Sequence, residues 1–172
     1  MRFRRYFSLE VQTKIGKTIR LLEEEFPKIV KPKIEFNRSI YSDDLFFKAE
    51  LVKSIPPVAI QGIDNYFRFL KISRCFISMY LKNRNLEIVK MESISEKNMM
   101  LHWRITGQSR SLFFNTKYQS YEGYSILHFN EQGKVHRHSV NNIIPPPKIT
   151  QTMKALIWWW KYRAGSQSIQ LN

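Results

Sequence analysis

Tyr121-Glu-Gly-Tyr-Ser-Ile-Leu-His-Phe-Asn130, then Glu131-Gln-Gly133, then Lys134-Val-His-Arg-His-Ser-Val-Asn-Asn-Ile143 is the stretch that decides the fold. Apolar residues tend to alternate on both sides of a short polar break, the two-residue period of strands with one face on a core. Gly133 can take the left-handed conformation that a three-residue loop requires, so the stretch predicts a β-hairpin. Upstream, Met99 to Thr106 alternates more cleanly, with Leu101, Trp103 and Ile105 on one side and His102, Arg104 and Thr106 on the other. Leu86 to Ile94 reads as a further, imperfect strand.

Toward the N-terminus the period changes. Gly62 to Leu70 has Ile63, Phe67 and Leu70 on one helical face with Tyr66 beside them. This helix is expected to run to about Arg74, after which Cys75 to Leu81 is apolar and ambiguous. Tyr41 to Phe47 reads as a strand or a tight entry to one. Ser8 can cap a first helix whose Val11, Ile15, Ile19, Leu22 and Phe26 recur at spacings of three and four, with Pro27 and Pro32 ending it. Gly16 inside it costs about 1 kcal/mol relative to alanine, which suggests a second backbone packed closely there. Beyond the hairpin, Pro145 to Pro147 stops the sheet, and Ile149 to Arg163 reads as a terminal helix with Met153, Leu156, Ile157 and Trp160 on one stripe. Helices first and strands afterwards point to an α+β domain in which a curved antiparallel sheet wraps around the N-terminal helices, with an extra C-terminal helix. The expected divisions are a basic tail over 1–8, the domain over 9–147, and a Trp-rich helix and tail over 148–172.

The chain has 172 residues, 43% hydrophobic and 14% aromatic, enough to bury the core of one domain. Its single cysteine, Cys75, excludes an internal disulfide and reads as a small buried hydrophobe. A net charge of +14 arises by omission of acids: none lies between Asp64 and Glu87, between Glu96 and Glu122, or after Glu131. Charge of that size suits an acidic neighbour, whether nucleic acid, an anionic membrane or an acidic protein surface. No apolar run approaches the roughly 20 residues of a membrane-crossing helix. The opening Met1-Arg-Phe-Arg-Arg-Tyr-Phe-Ser8 has the flavour of a mitochondrial presequence, or is an ordinary basic terminus. An intracellular setting, mitochondrial or cytoplasmic, is expected. No phosphate-cradling glycine loop, CxxC pair or GxSxG motif is present.

His136 and His138 lie two apart on one expected strand. If Asn130 pairs with Lys134, His128 stands opposite His136 on the same face, an arrangement that can hold zinc with an open fourth position. No nearby carboxylate offers the second hydrogen bond that zinc-bound imidazoles require, and the alternative is three imidazoles on a basic sheet. Zinc is the one cofactor the residues suggest. Asp43, Asp44 and Glu50 stand near the start of the expected sheet, where a carboxylate could serve as a base beside His102, His128 or Tyr124, or could hold a turn. Trp158-Trp159-Trp160-Lys161-Tyr162-Arg163 cannot place three consecutive indoles on one helical face, so Trp158, Trp159, Lys161 and Arg163 are candidates for contact with a partner or a membrane surface.

In their order and spacing these pieces resemble the nuclear-transport-factor-2-like superfamily of SnoaL-like, cystatin-like cones. Within it they resemble an uncharacterised family of plants, algae and animals that includes a human chromosome 6 open-reading-frame product. The matching residues are the first helix, Ile40 to Phe47, Gly62-Ile-Asp-Asn-Tyr66, the Trp103 strand, Tyr121-x-Gly123-x-Ser125, Phe129 to Val135, Arg137-His138-x-Val140-Asn141 and Pro145, spanning roughly residues 9 to 147. The resemblance implies a cone with a pocket between the helices and the concave sheet, often a dimer through the sheet, and, from the animal members, a mitochondrial location. It implies no reaction, because such folds host many functions. Many relatives place an acid just after the first strand, where this chain has Lys48-Ala49. The expectation is therefore a non-catalytic binding or accessory domain engaging a protein or ribonucleoprotein partner or a second copy. The alternatives are a small-molecule pocket lined by Tyr41, Asp44, His102, Arg104 and Tyr124, and a direct RNA-binding protein.

Overall fold

A computed structural model describes residues 9–32, 35–50, 57–109 and 117–145. The elements run α1 (Leu9–Glu25), a 3₁₀ turn (Phe26–Val30), a second one (Arg38–Ile40), β1 (Tyr41–Ala49), β2 (Val58–Gln61), α2 (Ile63–Tyr80), β3 (Leu81–Ser95), β4 (Asn98–Ser109), β5 (Tyr118–Phe129) and β6 (Val135–Ile144). The strands form one sheet in the order β2-β1-β6-β5-β4-β3. The α+β cone with helices inside the sheet is as expected. Ser8 and the terminal helix with Trp158, Trp159, Lys161 and Arg163 lie outside the described residues.

The hairpin of β5 and β6 sits where the alternation places it. The Asn130 amide donates to the Lys134 carbonyl at 2.9 Å, and Gly133 adopts φ +74°. The loop is pressed onto α1: a Cβ on Gly133 would lie 2.7 Å from the Lys14 carbonyl carbon and 2.9 Å from the Ile15 nitrogen. The close backbone approach to the first helix therefore occurs at Lys14 and Ile15 and comes from Gly133. A Cβ on Gly16 would meet nothing within 4 Å, which corrects the expectation for that glycine. Gly133→Ala is expected to cost about 2 kcal/mol or more, because it adds left-handed strain to a backbone collision. A urea titration of the two proteins measures it.

Three features depart from the expectation. The sheet is antiparallel except where β1, the second strand from one edge, pairs parallel with β6, matching Phe47 with His138. The short strand β2, unmarked by any sequence pattern, covers the other edge of β1. Finally, α2 continues through the ambiguous segment to Tyr80, and β3 starts at once at Leu81, earlier than the alternation indicates. Cys75 is accordingly exposed on a helix, not buried.

Two apolar clusters fill the concavity. The larger joins Val11, Ile15 and Leu22 of α1 to Ile63, Tyr66, Phe67 and Leu70 of α2, and to inward residues of β1, β2, β5 and β6 such as Phe47, Ile60, Leu127, Phe129 and Val135. The smaller joins Phe26 and Val30 to Leu86, Leu101 and Trp103. Each fully buried side chain of this size contributes roughly 1.5–3 kcal/mol. The carbonyls that end the first 3₁₀ turn are capped by arginines, Arg74 Nε donating to Ile29 at 2.9 Å and Arg84 Nε to Val30 at 2.6 Å.

Candidate functional site

Among the described residues, a chain of five polar side chains runs through the interior of the cone. On β4 the indole of Trp103 points inward, and on β5 the inward positions opposite it are small, Gly123 and Ser125. The absence of a side chain at Gly123 makes room for the indole, since a Cβ there would lie 2.6 Å from Trp103 Cη2. Trp103 Nε1 donates to Ser125 Oγ at 3.1 Å. Ser125 Oγ stands 3.0 Å from His138 Nε2, and His138 Nδ1 stands 2.9 Å from the hydroxyl of Tyr66 on α2. The Tyr66 and Tyr41 hydroxyls share the next hydrogen bond.

All five residues are buried, at 7% exposure or less. Burial pushes the His138 imidazole down to about 3, so the ring is neutral at physiological pH and has a single N–H. Burial likewise raises Tyr41 to about 12 and Tyr66 well above the usual phenol range. Trp103 can only donate, so Ser125 Oγ accepts from it, and we assign the Ser125 hydroxyl proton to His138 Nε2. His138 Nδ1–H then donates to Tyr66, and Tyr66 to Tyr41. This order gives each donor from Trp103 to Tyr66 a partner. Phe47 packs its ring edge to face with the imidazole at 5.2 Å. The cone is thus closed by its own rings, with no carboxylate among the buried polar residues described.

His138 reaches the interior through a β-bulge. Phe129 pairs with Val135, but His128 pairs with Arg137, leaving His136 as an extra residue on β6. Val135 and His138 therefore face the core, while His136 stays near His128 with ring centroids 6.2 Å apart. The expected alignment of His128, His136 and His138 is corrected: the bulge turns His138 to the opposite face, and no group of three metal-ligating side chains occurs among the described residues. His128 Nδ1 instead lies 2.7 Å from Asn98 Oδ1.

The expected pocket residues divide between two faces. Tyr41 joins the interior chain. Asp44 is exposed and accepts from the Ser42 hydroxyl, and Glu50 pairs with Lys48 at 2.7 Å, so both acids act as surface groups. His102, Arg104 and Tyr124 point away from the cone, on the outer face of the sheet. There the paired residues of β4 and β5 form a ladder, Met100 with Ile126, His102 with Tyr124, and Arg104 with Glu122. His102 stacks on Tyr124 at 4.6 Å. Glu122 accepts from Arg104 Nε at 2.7 Å and lies 3.0 Å from His102 Nε2. Hydrogen bonds from Arg104 and His102 hold the Glu122 carboxyl below its usual range. Arg104 Nη1 also donates to Glu87 on β3 at 3.0 Å.

Two crevices border these faces. One, with a volume of about 10 Å³, lies at the cone mouth between Glu25, Phe36, Ile40 and Tyr41, and holds no more than a water molecule. The other is a shallow open cleft beside Leu86 to Met91. Sequence reasoning missed Ser125, Tyr66 and Glu122 as site residues. The small residues at alternate positions in Tyr121-x-Gly123-x-Ser125, opposite a tryptophan, were the available signal.

Among solved structures, the protein is similar to one described as a SnoaL-like polyketide cyclase from Jannaschia sp. CCS1, with 12% identity, a TM-score of 0.54, and coverage of 76% of this chain and 86% of that one. It is also similar to an NTF2-like protein of unknown function from Exiguobacterium sp. 255-15, at 17% identity, a TM-score of 0.50, and coverage of 72% and 95%. Both likenesses show the fold. Among proteins, Uncharacterized protein C6orf136 of Homo sapiens is 23% identical over 145 residues, 79% of this chain and 44% of the human protein. The Macaca mulatta homolog gives the same identity over 79% of this chain and 81% of its own. The chain thus spans less than half the length of the human relative it matches. The family model described as Uncharacterized conserved protein (DUF2358) matches residues 16–138, most of the cone, and the chain belongs to that family, built on an NTF2-like fold.

Proposed function

We propose that the protein is a non-catalytic binding domain of a mitochondrial assembly, engaging a protein or ribonucleoprotein partner through its outer surface. The observation that carries this reading is the filled cone: Trp103, Ser125, His138, Tyr66 and Tyr41 bond to one another in its interior, and the crevice beside Tyr41 has room for about one water. Its histidine is neutral and enclosed, so it cannot exchange protons with a substrate arriving from solvent. The outer ladder offers what docking surfaces favour, an apolar and aromatic centre at Met100, Tyr124 and Ile126 beside pre-ordered charges at His102, Arg104 and Glu122. The net charge of +14 favours an acidic partner. The mitochondrial part of the reading rests on the arginines of residues 1–8 and on the family's animal members.

The test is affinity capture from mitochondrial extract, with and without nuclease, using the wild-type chain and an Ile126→Asp/Tyr124→Asp variant. A stoichiometric partner that survives nuclease and is lost with the variant is expected. Loss on nuclease treatment alone would favour direct RNA binding. A small molecule retained at one per chain in the native mass spectrum would overturn the reading in favour of a pocket protein.

A further inference from the structure

Helix α2 changes character halfway along. Its first turns bury Ile63, Tyr66, Phe67 and Leu70, but no residue from 71 to 80 is buried, although the sequence there, Lys-Ile-Ser-Arg-Cys-Phe-Ile-Ser-Met-Tyr, remains apolar. At 100° per residue, Ile72, Cys75, Phe76 and Met79 fall on one outward arc. Ile72 is 37% exposed, Met79 61% and Tyr80 38%. A helix that is apolar on its buried and its outward sides is normally covered on both.

The charges around this ridge identify what covers it. Arg68 and Lys71 are exposed beside the arc, and Lys82 is exposed two residues past the helix. No acid occurs between Asp64 and Glu87, and Asp64 itself, one turn before Arg68, is paired with Arg38 at 2.7 Å. A second copy of this chain would set cations against cations. The ridge is also convex, unlike the grooves that take up a partner helix, and its two rings, Phe76 and Tyr80, sit on that convex face and not in a basic groove that tracks a nucleic-acid backbone. A convex apolar helix face flanked by cations fits the headgroup region of an anionic bilayer.

We infer that the C-terminal half of α2 is a peripheral membrane-attachment surface, with Ile72 and Met79 entering the interface and Arg68, Lys71 and Lys82 engaging anionic headgroups. This surface is separate from the outer face of the sheet and does not depend on the binding function proposed for that face.

The probe is co-sedimentation of the full chain with phosphatidylcholine vesicles, plain or containing about 30% phosphatidylserine. Partitioning onto the phosphatidylserine vesicles alone is expected, weakening as salt rises. Arg68→Glu/Lys71→Glu should lower it by more than about tenfold, at roughly fivefold per cation. Ile72→Ser/Met79→Ser should lower it by a similar factor, with the melting temperature of both variants unchanged. Equal binding to the two vesicle types would overturn the inference without any variant being made. Undiminished binding of the serine variant would mean adsorption by charge alone and would equally overturn it. Binding to polyglutamate that needs the same apolar residues would assign the ridge to an acidic polypeptide instead.

Discussion

Replacing His138 by alanine is expected to destabilise the protein by about 4 kcal/mol, a large part of a typical domain's 5–15 kcal/mol. The truncation opens a cavity among Phe47, Tyr66 and Ser125, and strands the Tyr66 and Ser125 hydroxyls without their shared partner. His138→Gln can restore part of the hydrogen bonding and should cost less. The same imidazole makes stability depend on pH. Its folded value, about 3, lies below the ordinary 6.5, so between these values the unfolded chain binds the extra proton. The stabilisation is therefore complete above about pH 6.5 and is lost as pH falls toward 3, at on the order of 1 kcal/mol per pH unit. Urea titrations at several pH values should show that slope in the wild type and a shallower one in His138→Gln.

Gly123→Val is expected to be the other severe substitution, costing about 3 kcal/mol. A Cβ at this position falls 2.6 Å from Trp103 Cη2, and the indole has little freedom to retreat because its Nε1 is fixed to Ser125 within the core. The ring must leave its place, and the Ser125 bond is lost with it. Near-ultraviolet circular dichroism should report the displaced indole while the far-ultraviolet spectrum stays strand-rich. In a double-mutant cycle, Trp103→Leu should recover much of the loss, because both changes act on the same space.

The elements that were legible in the sequence are those with unbroken periods. The β5–β6 hairpin, the inward Leu101 and Trp103 of β4, and the stripes of α1 and early α2 follow from alternation or helical spacing, because each keeps one face on the core. The boundary between α2 and β3 left no mark, since neither glycine nor proline separates Tyr80 from Leu81. The chain turns there from the apolar end of α2 into the polar Lys82-Asn-Arg-Asn85, with Asn83 at φ +47°. Strand β2 is four residues long, too short to show a period. The bulge at His136 mattered most for the candidate site. A one-residue insertion reverses every later side chain on β6, which took His138 from an imagined metal face into the core and put Arg137 outside. The residues of the buried chain are distributed over β1, α2, β4, β5 and β6, so their convergence is set by sheet register and was not readable from spacing.

Closure of the cone around a neutral His138 underlies both the stability and the proposed binding role of the protein. Nitrogen-15 NMR of the imidazole across a pH titration reads this directly. A single neutral tautomer with Nδ1 protonated, unchanged as pH falls from 7 to about 4.5, is the predicted result. A ring that titrates near the ordinary 6.5, with both nitrogens in exchange with solvent, would show an open interior and contradict the account.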